Sequence, residues 1–507
     1  MRTVETVLFL VVVATVVATF ARRLRVPAPS LLVVAGVGVG VLPGVPGIEV
    51  TPEIVSLVVL PPLLFAAGEE LAWRDLKAVW RPVTVLAVGL VLVSAAAAGA
   101  VAVAFTSLPV GMAFVLGAVL ASTDPVAVTA LGRRLSLPPR VQALVQAESL
   151  FNDATSLLLF RVALSLAVTT GAVSWGRTLA EFATLAGGGV FAGALAAAGA
   201  YVIRRRTEDP VLESVVFLVT PYAAYVAAES VHGSGVTAVV VASVVLGTQA
   251  TRLTTAPVRL QLHAVSGTVV FLLESVVFAL IGLQLPALVG RLADEGAATS
   301  WLLPALAITV ALLVVRVLWM VPLSALASRR RGTRPSWRLP VVVTWAGARG
   351  VVPLAAALSI PLGLPGRDLV LVLAIAVIVI TLVVQGFTLA PLVRRAGIAV
   401  DPRDVDREHT DARARLAEAG LAHLDGLEPD FVRDQLRRSW QSRLDRILAD
   451  EPDAVETSVA YRDLRRELLA VESTELNRLY AAGAITDGTR RRIQRTLDLE
   501  TGGIGDD

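Results

Sequence analysis

The sequence of 507 residues contains no cysteine, a single lysine and only four histidines. Without cysteine the chain cannot form disulfides, zinc–thiolate sites or a thiol nucleophile. None of the histidines belongs to an H-E-x-x-H pattern, so zinc-protease chemistry has no support. Charged residues make up 17% of the chain, against about 25% in soluble domains. The short arginine tracts lie between apolar runs, which indicates a topological role rather than nucleic-acid binding.

Hydrophobic residues are abundant in this sequence. They account for 55% of it before glycine is counted, and the mean hydropathy is +0.71. Soluble domains reach about 45–50% with glycine included. A soluble fold of this length would leave much of that apolar surface in water, whereas a bilayer accommodates it. The composition therefore predicts an integral membrane protein.

Thirteen segments are candidate membrane spans, since a helix needs about 20 apolar residues to cross the hydrocarbon core. Their approximate ranges are 4–21, 28–46, 52–67, 82–105, 110–132, 141–168, 175–203, 211–231, 234–248, 262–290, 301–327, 340–362 and 368–393. The third and ninth are short, which predicts that they are buried in protein or interrupted. The first run resembles a signal peptide, but the arginines that follow it favour an uncleaved span.

The basic residues between the spans predict the topology. Twenty-one fall in alternate connections, and the intervening connections and the N-terminus carry only Arg2, Arg177, Arg291 and Arg367. The positive-inside rule then places the N-terminus outside the cell membrane and the C-terminus in the cytoplasm. With thirteen spans, each of segments 1–6 crosses the membrane in the direction opposite to its counterpart, seven segments later, in 8–13. This count permits two inverted six-helix repeats, although the sequence itself contains no obvious repeat.

The composition changes sharply after Gly397. Residues 401–507 are rich in charge, and apolar residues recur at helical spacing. One such series is Val432, Leu436, Trp440, Leu444 and Leu448. We therefore predict a transmembrane domain over 1–397 and a soluble, helical cytoplasmic domain over 398–507, whose default role is packing or regulation.

Ionisable side chains inside spans need an explanation, because each costs about 2.5–17 kcal/mol at the bilayer centre. Asp124, Asp153 and Arg349 lie nine, thirteen and eleven residues from the basic edges of their segments. At about 1.5 Å per residue these depths are roughly 14–20 Å. That is near the midplane, where transporters bind their ions.

Asp124 precedes a proline in the fifth segment. Pro125 removes a backbone donor, so we expect the helix to open here. Opening frees carbonyl oxygens, including that of Thr123, as ligands for a hard monovalent cation. A plain proline kink, with Asp124 paired to an arginine, explains the same spacing equally well.

The sixth segment presents two polar faces. Ser149 and Asp153 are four residues apart and share one face, while Glu148 and Asn152 share another, turned by about 100°. The first face offers a hydroxyl and a carboxylate to an ion, and the second offers Glu148 to a buried partner. A carboxylate that holds either a proton or a cation, and that faces each side in turn, is sufficient for antiport. The alternative is a structural polar network between helices.

Three arginines in other spans are candidate partners for these acids. Glycines and a proline surround Arg349, which predicts a second interrupted helix. Arg349 lies too deep to snorkel, so it is a counter-ion for Glu148 or for open carbonyl ends. Glu274 and Arg316 are mid-span and are expected to form structural ion pairs, with one another or with Arg161.

The motifs Leu60–Phe65, Ser122–Val128, Glu148–Ala154, Phe271–Leu285 and Trp345–Gly350 together resemble the cation:proton antiporter family, in its sodium/proton exchanger branch. The resemblance covers about residues 5–395. It implies thirteen spans, a homodimer, and alternating access in which a six-helix unit moves against a dimerisation unit. It implies no cofactor and no nucleic-acid partner, and its ligands are monovalent cations, protons and membrane lipid.

The same resemblance assigns roles to single residues. Asp153 would carry the cation and the proton, Glu148 would be fixed by Arg349, and Asn152 is typical of electroneutral members. The implied cation-binding shell consists of Asp153, Asp124, Ser149 and Thr123. The chain departs from many relatives at Ala66, where they carry an acid, so details of the third segment stay open.

The predicted function is electroneutral exchange of sodium, and also lithium, for protons. Potassium/proton exchange is the nearest alternative, since the ligand types do not separate the two cations. A cation channel is a second alternative, but no segment resembles a selectivity filter. An intramembrane protease with Asp124 and Asp153 as its dyad is a third. The motifs of such proteases are absent, so we do not expect an enzyme.

Overall fold

The computed structural model describes residues 2–24, 27–42, 54–71, 73–125, 137–168, 175–207, 209–253, 255–294, 301–330, 337–398, 401–428, 430–448, 452–482 and 484–503. Within these ranges the regular structure is entirely helical. The chain divides into two compact units, Met1–Ala399 and Val400–Asp507.

The first unit consists of apolar helices and two short π-helical stretches. Its helices are α1 (Arg2–Leu24), α2 (Ala28–Gly40), α3 (Leu60–Glu69, preceded by π-helical Ile54–Val59), α4 (Trp73–Thr84), α5 (Val91–Phe105, joined to α4 by π-helical Val85–Leu90), α6 (Val110–Val119), α7 (Pro139–Val168), α8 (Trp175–Arg206), α9 (Pro210–Ser230), α10 (Gly235–Leu253), α11 (Ala256–Asp294), α12 (Leu302–Arg330), α13 (Arg338–Trp345), α14 (Val351–Leu358) and α15 (Arg367–Ala396).

Among the described residues, seven helices are long and apolar enough to cross a membrane. They are Trp73–Phe105, Pro139–Val168, Ala180–Arg206, Pro210–Ser230, Val258–Leu292, Leu302–Leu326 and Arg367–Ala396. Shorter apolar helices occupy Val11–Ala21, Ala28–Gly40, Leu57–Glu69, Val110–Val119 and Gly235–Gln249. The described part of the chain is thus all-helical, and several of its helices have the length and composition of membrane spans.

The predicted interruptions occur, but one begins earlier than expected. Helix α6 ends at Val119 and residues 120–125 are not helical, whereas we expected the helix to open at Pro125. The N–H groups of Leu120 and Ala121 still donate to carbonyls of α6, whereas residues 121–124 form hydrogen bonds to other elements, described below. The remainder of the predicted span, 126–132, lies outside the described residues. The second interruption, Ala346–Gly350, separates α13 from α14 as expected.

The helices of the first unit form two bundles, because most of their contacts are within one group or the other. The scaffold bundle consists of α1, α2, α3, α8, α9, α10 and α11. The site bundle consists of α4, α5, α6, α7, α12, α13, α14 and α15. The bundles meet where α15 contacts α2 and α11, where α7 contacts α3, α8 and α10, and where α14 contacts α3 and α11. Every residue of the predicted cation-binding shell belongs to the site bundle.

Glycines allow a close helix contact in the scaffold bundle. A Cβ on Gly36 of α2 would lie 2.3 Å from the carbonyl oxygen of Ala279 on α11. One on Gly282 of α11 would lie 2.1 Å from the carbonyl oxygen of Val33. Since real Cβ atoms do not approach so closely, only glycine permits this helix separation. The last helix of this unit ends at Gly397, whose φ of +59° also favours glycine.

The second unit contains two helical pairs. Helices α16 (Pro402–Asp425) and α17 (Phe431–Leu448) enclose a small apolar cluster that includes Leu421 and Leu444. Helices α18 (Pro452–Ala481) and α19 (Asp487–Gly503) enclose another. In the first turn of α19, hydrogen bonds from neighbouring arginines hold the pKa of Asp487 below its usual value.

Candidate ion-binding site

The two interrupted segments cross each other at Asp124. Its backbone N–H donates to the carbonyl oxygen of Ala348 at 2.7 Å. The N–H of Val351, the first residue of α14, lies 3.4 Å from Asp124 Oδ2. A carboxylate at the N-terminus of a helix is stabilised by the free N–H groups and the helix dipole. The crossing therefore holds Asp124 by its backbone and by its side chain.

Gly350 permits this crossing. A Cβ at position 350 would lie 1.5 Å from Asp124 Oδ2, a distance that no side chain tolerates. The φ angle of Gly350 is −137°, which other residues also adopt. The position requires glycine because of the close approach and not because of backbone strain.

Arg349 binds the open end of α6. Its buried guanidinium donates from Nη1 to the carbonyl oxygen of Ala121 at 2.8 Å and to that of Ser122. Both carbonyls lie beyond the last residue of the helix, Val119, where backbone groups need partners outside the helix. The backbone N–H of Arg349 donates to Thr381 Oγ1 on α15 at 3.1 Å. Of the two roles predicted for Arg349, the structure places it at the open carbonyl ends.

Helix α7 anchors the other side of the non-helical segment through Thr123. Ser149 Oγ donates to the carbonyl oxygen of Thr123 at 2.5 Å. Asn152 Nδ2 donates to Thr123 Oγ1 at 2.7 Å, and Asn152 Oδ1 accepts from the Thr123 N–H at 3.4 Å. One turn later Ser156 Oγ donates to the carbonyl oxygen of Ala118 at 2.7 Å. Four hydrogen bonds from α7 therefore fix the position of the non-helical segment that follows α6.

Asp153 lies beside this network on α7 and is 7% exposed. Its charge interacts with those of Asp124 and Arg349. In the part of the chain that the structure describes, it forms no ion pair. Ser149 lies one turn before Asp153 on α7, and its hydroxyl binds the main-chain carbonyl of Thr123, which adjoins the Asp124 carboxylate. These are donor types that hard monovalent cations prefer, and the structure brings together all four residues of the predicted shell.

The partner of Glu148 differs from the predicted one. Glu148 Oε1 lies 2.7 Å from Nη1 of Arg316 on α12, and not next to Arg349 as expected. The reason is that Arg349 is engaged by the carbonyls at the end of α6. Arg316 is held in place by Nε and Nη2 hydrogen bonds of 3.3 and 3.2 Å to the Val343 carbonyl at the end of α13.

The structural pairs predicted for Glu274, Arg316 and Arg161 do not form. Arg316 pairs with Glu148, and Arg161 on α7 pairs with Glu229 on α9. Glu274 is half-buried on α11. Arg316 is occupied by Glu148 and Arg161 by Glu229, so neither arginine is left to pair with Glu274.

Several contributing residues were not predicted from the sequence. They are Thr381, Ser156 and Glu229; serine and threonine in a helix more often bond the backbone of their own helix. Gly350 also contributes to the site, and for this residue the sequence does give a usable signal, because it adjoins Arg349 in an interrupted segment. Thr381 and Ser156 are recognisable only once the long-range contacts are known.

Comparisons with known proteins identify the family of this chain. The profile of the family described as "Sodium/hydrogen exchanger, transmembrane" matches residues 10–395. The Na(+)/H(+) antiporter ApNhaP of Aphanothece halophytica is 32% identical, over 93% of this chain and 92% of the relative. An antiporter of Bacillus pumilus, named for exchange of sodium, potassium, lithium and rubidium for protons, is 30% identical over 80% of this chain and 63% of the relative.

A solved structure matches the fold as well. The sodium proton antiporter MjNhaP1 from Methanocaldococcus jannaschii at pH 8 superposes with a TM-score of 0.62 at 20% identity, covering 78% of this chain and 99% of that chain. The resemblance stated from the motifs is therefore confirmed. This chain, a multi-pass membrane protein, belongs to the sodium/hydrogen exchanger family, which is a family of transporters.

Proposed function

We propose that this protein exchanges sodium for protons one for one, with Asp153 holding either ion in turn. The proposal rests on the position of this buried carboxylate beside the point where the two interrupted segments cross. Oxygen atoms of Thr123, Ser149 and Asp124 complete the shell around the cation. The protein acts as a carrier without a cofactor, and lithium would use the same ligands.

The charges around the site support a one-for-one ratio. Glu148 and Arg316 neutralise each other at 2.7 Å. Arg349 and Asp124 carry opposite charges on the two crossing segments. Asp153 remains as the carboxylate whose charge either a sodium ion or a proton can balance, and its neighbour Asn152 contributes no charge. Replacing one ion by the other then leaves the charge of the loaded site unchanged.

The division of the helices into two bundles supports alternating access. All shell residues lie in the site bundle, so its movement against the scaffold bundle would carry the ion without dismantling the site. The interrupted segments are the fifth and twelfth of thirteen proposed spans, and a pair offset by seven fits two inverted repeats. The proposed protein is a plasma-membrane homodimer with its N-terminus outside and its helical domain, 398–507, in the cytoplasm.

Potassium/proton exchange is the second candidate. The Bacillus pumilus relative is named for transport of both sodium and potassium, and oxygen ligands bind both cations. Both cations carry a single positive charge, so the charges of the shell do not distinguish them. The mechanism would be the same, with potassium as the transported cation.

The test uses the purified full-length protein in liposomes containing a pH-sensitive dye. Sodium and then potassium are added across an imposed proton gradient, with and without a clamped membrane potential. We expect sodium to dissipate the gradient at a rate that ignores the clamp. A rate that depends on the clamp would overturn the one-for-one ratio, and a response only to potassium would select the second candidate.

A further inference from the structure

The helix that contains α4 and α5 is longer than the membrane requires. Its 33 residues, Trp73–Phe105, extend about 50 Å at about 1.5 Å each, whereas the hydrocarbon core is about 30 Å thick. Residues 85–105 include no charged side chain, and all the charges of this helix lie within α4. The excess length therefore lies at α4, which reaches into the headgroup region.

Helix α4 has two chemically different faces. One face is buried against the rest of the site bundle through Leu76, Val79 and Val83. The opposite face, named the Trp/basic face, exposes Trp73, Arg74, Lys77, Trp80 and Arg81. Both tryptophans are 54% exposed, and the Arg81 guanidinium carbon lies 5.6 Å from the ring centroid of Trp80. Tryptophan, which has an apolar ring and a polar N–H, is typical of surfaces at the membrane–water interface.

The Trp/basic face continues a surface that contacts lipid. Thr84, Val88 and Leu92 follow Lys77 and Trp80 along the same side of the helix, at spacings of three or four residues. Val88 is 45% exposed and Leu92 is 49% exposed. Exposed aliphatic side chains in a membrane span face acyl chains. The same side of the helix therefore passes from the acyl region to the headgroups of one leaflet.

The charges of this face select the kind of lipid. Three basic side chains lie together, and Asp75, the acid of this helix, projects from nearly the opposite side, about 160° from Lys77. Tryptophan prefers the membrane interface, and clustered basic residues attract anionic headgroups. We propose that the Trp/basic face of α4 is a binding site for the headgroups of anionic phospholipids. Because α4 belongs to the site bundle, the bound lipid would contact the unit that carries the ion-binding residues.

Lys77 provides a direct probe, since it is the single lysine of the chain. The full-length protein is placed in lipid nanodiscs of phosphatidylcholine alone, or of phosphatidylcholine and phosphatidylglycerol in equal parts. Neither lipid has a reactive amine. The rate at which a soluble amine reagent modifies Lys77 is followed by mass spectrometry of the peptide that contains it. We expect phosphatidylglycerol to slow the modification about fivefold. This ratio corresponds to the attraction between one basic residue and an anionic membrane surface.

Two matched variants separate a local site from a general effect of surface charge. R74Q/R81Q removes two charges from the Trp/basic face and leaves Lys77 in place. R205Q/R206Q removes two exposed charges from the end of α8. We expect phosphatidylglycerol to slow the modification of Lys77 in R205Q/R206Q by the same factor as in the original protein. In R74Q/R81Q we expect the same rate in both lipids. Equal rates in both lipids for the original protein, or equal protection in both variants, would overturn the proposal.

Discussion

Arg316 Nη1 and Glu148 Oε1 lie 2.7 Å apart and join α12 to α7 inside the site bundle. Both side chains are buried, with 4% and 1% of their surfaces exposed. Gly347 makes room for this pair, because a Cβ there would lie 2.7 Å from Arg316 Nε. Since Ser149 and Asp153 follow Glu148 on the same helix, the ion pair fixes the helix that carries the proposed ion ligands.

Removing one partner of this pair should destabilise the protein. In Glu148→Gln the buried guanidinium of Arg316 keeps its charge and loses its counter-ion, which typically costs about 3–5 kcal/mol. We expect a clear drop in Tm of the detergent-solubilised protein. The control is Glu475→Gln, which breaks the exposed pair between Glu475 and Arg478 and should leave Tm unchanged. Equal melting temperatures for all three proteins would contradict a structural role for the pair.

Asp153→Asn should abolish exchange without unfolding the protein. The amide is similar in shape to the carboxylate but can neither release a proton nor balance a cation, so the proposed exchange of ions cannot occur. The measurement is sodium-driven proton flux in liposomes, together with Tm and gel-filtration profile. Asp368→Asn, at an exposed position of the same unit, should keep its activity. Normal flux in Asp153→Asn would remove Asp153 from the role of carrier.

The family, the helical class and the members of the proposed shell could be predicted from the sequence because they depend on local patterns. Apolar runs of span length mark membrane helices. The pairing of Ser149 with Asp153 needs only helical periodicity. The presence of an interruption near Pro125 and of another around Arg349 follows from proline and glycine content. None of these predictions requires knowledge of which helices are neighbours.

The predictions that were wrong depend on long-range packing. Arg349 and Arg316 are both mid-span arginines, and nothing in their own segments shows which one reaches Glu148. The choice depends on where the non-helical segment after Val119 lies, since its free carbonyls bind Arg349. That segment is in turn held by contacts through Thr123. The break begins before Pro125 for the same reason, because tertiary hydrogen bonds outweigh the local effect of proline.

Gly350→Ala should impair exchange far more than other glycine substitutions in the same unit. The new methyl would overlap Asp124 Oδ2, at 1.5 Å, so the two crossing segments must separate. A displacement of about 1 Å in a reacting group can cost roughly 100-fold in rate, and we expect a loss of that order in sodium-driven flux. Gly187→Ala is the matched control, because an added Cβ there meets no atom within 4 Å. Similar flux in both variants would show that the crossing tolerates displacement.

Arg161 and Glu229 connect the two bundles by an ion pair between α7 and α9. Their side chains are 33% and 38% exposed, so the pair is accessible to reagents. The backbone N–H of Gly235 also lies 3.3 Å from Glu229 Oε1. If the site bundle moves against the scaffold bundle during transport, these two side chains must separate in each cycle.

Cross-linking this position should therefore stop exchange. The natural sequence has no cysteine, so R161C/E229C can be joined by a short bifunctional thiol reagent with no background to remove. We expect cross-linking to abolish sodium-driven flux, whereas the same reagent should not inhibit either single-cysteine variant. V58C/Y222C is the matched control, because the Tyr222 hydroxyl donates to the Val58 carbonyl at 3.0 Å within the scaffold bundle. Its cross-link should leave flux intact. Full activity of cross-linked R161C/E229C would mean that α7 and α9 keep their relative position throughout the cycle, and alternating access would then have to arise from movement elsewhere in the two bundles.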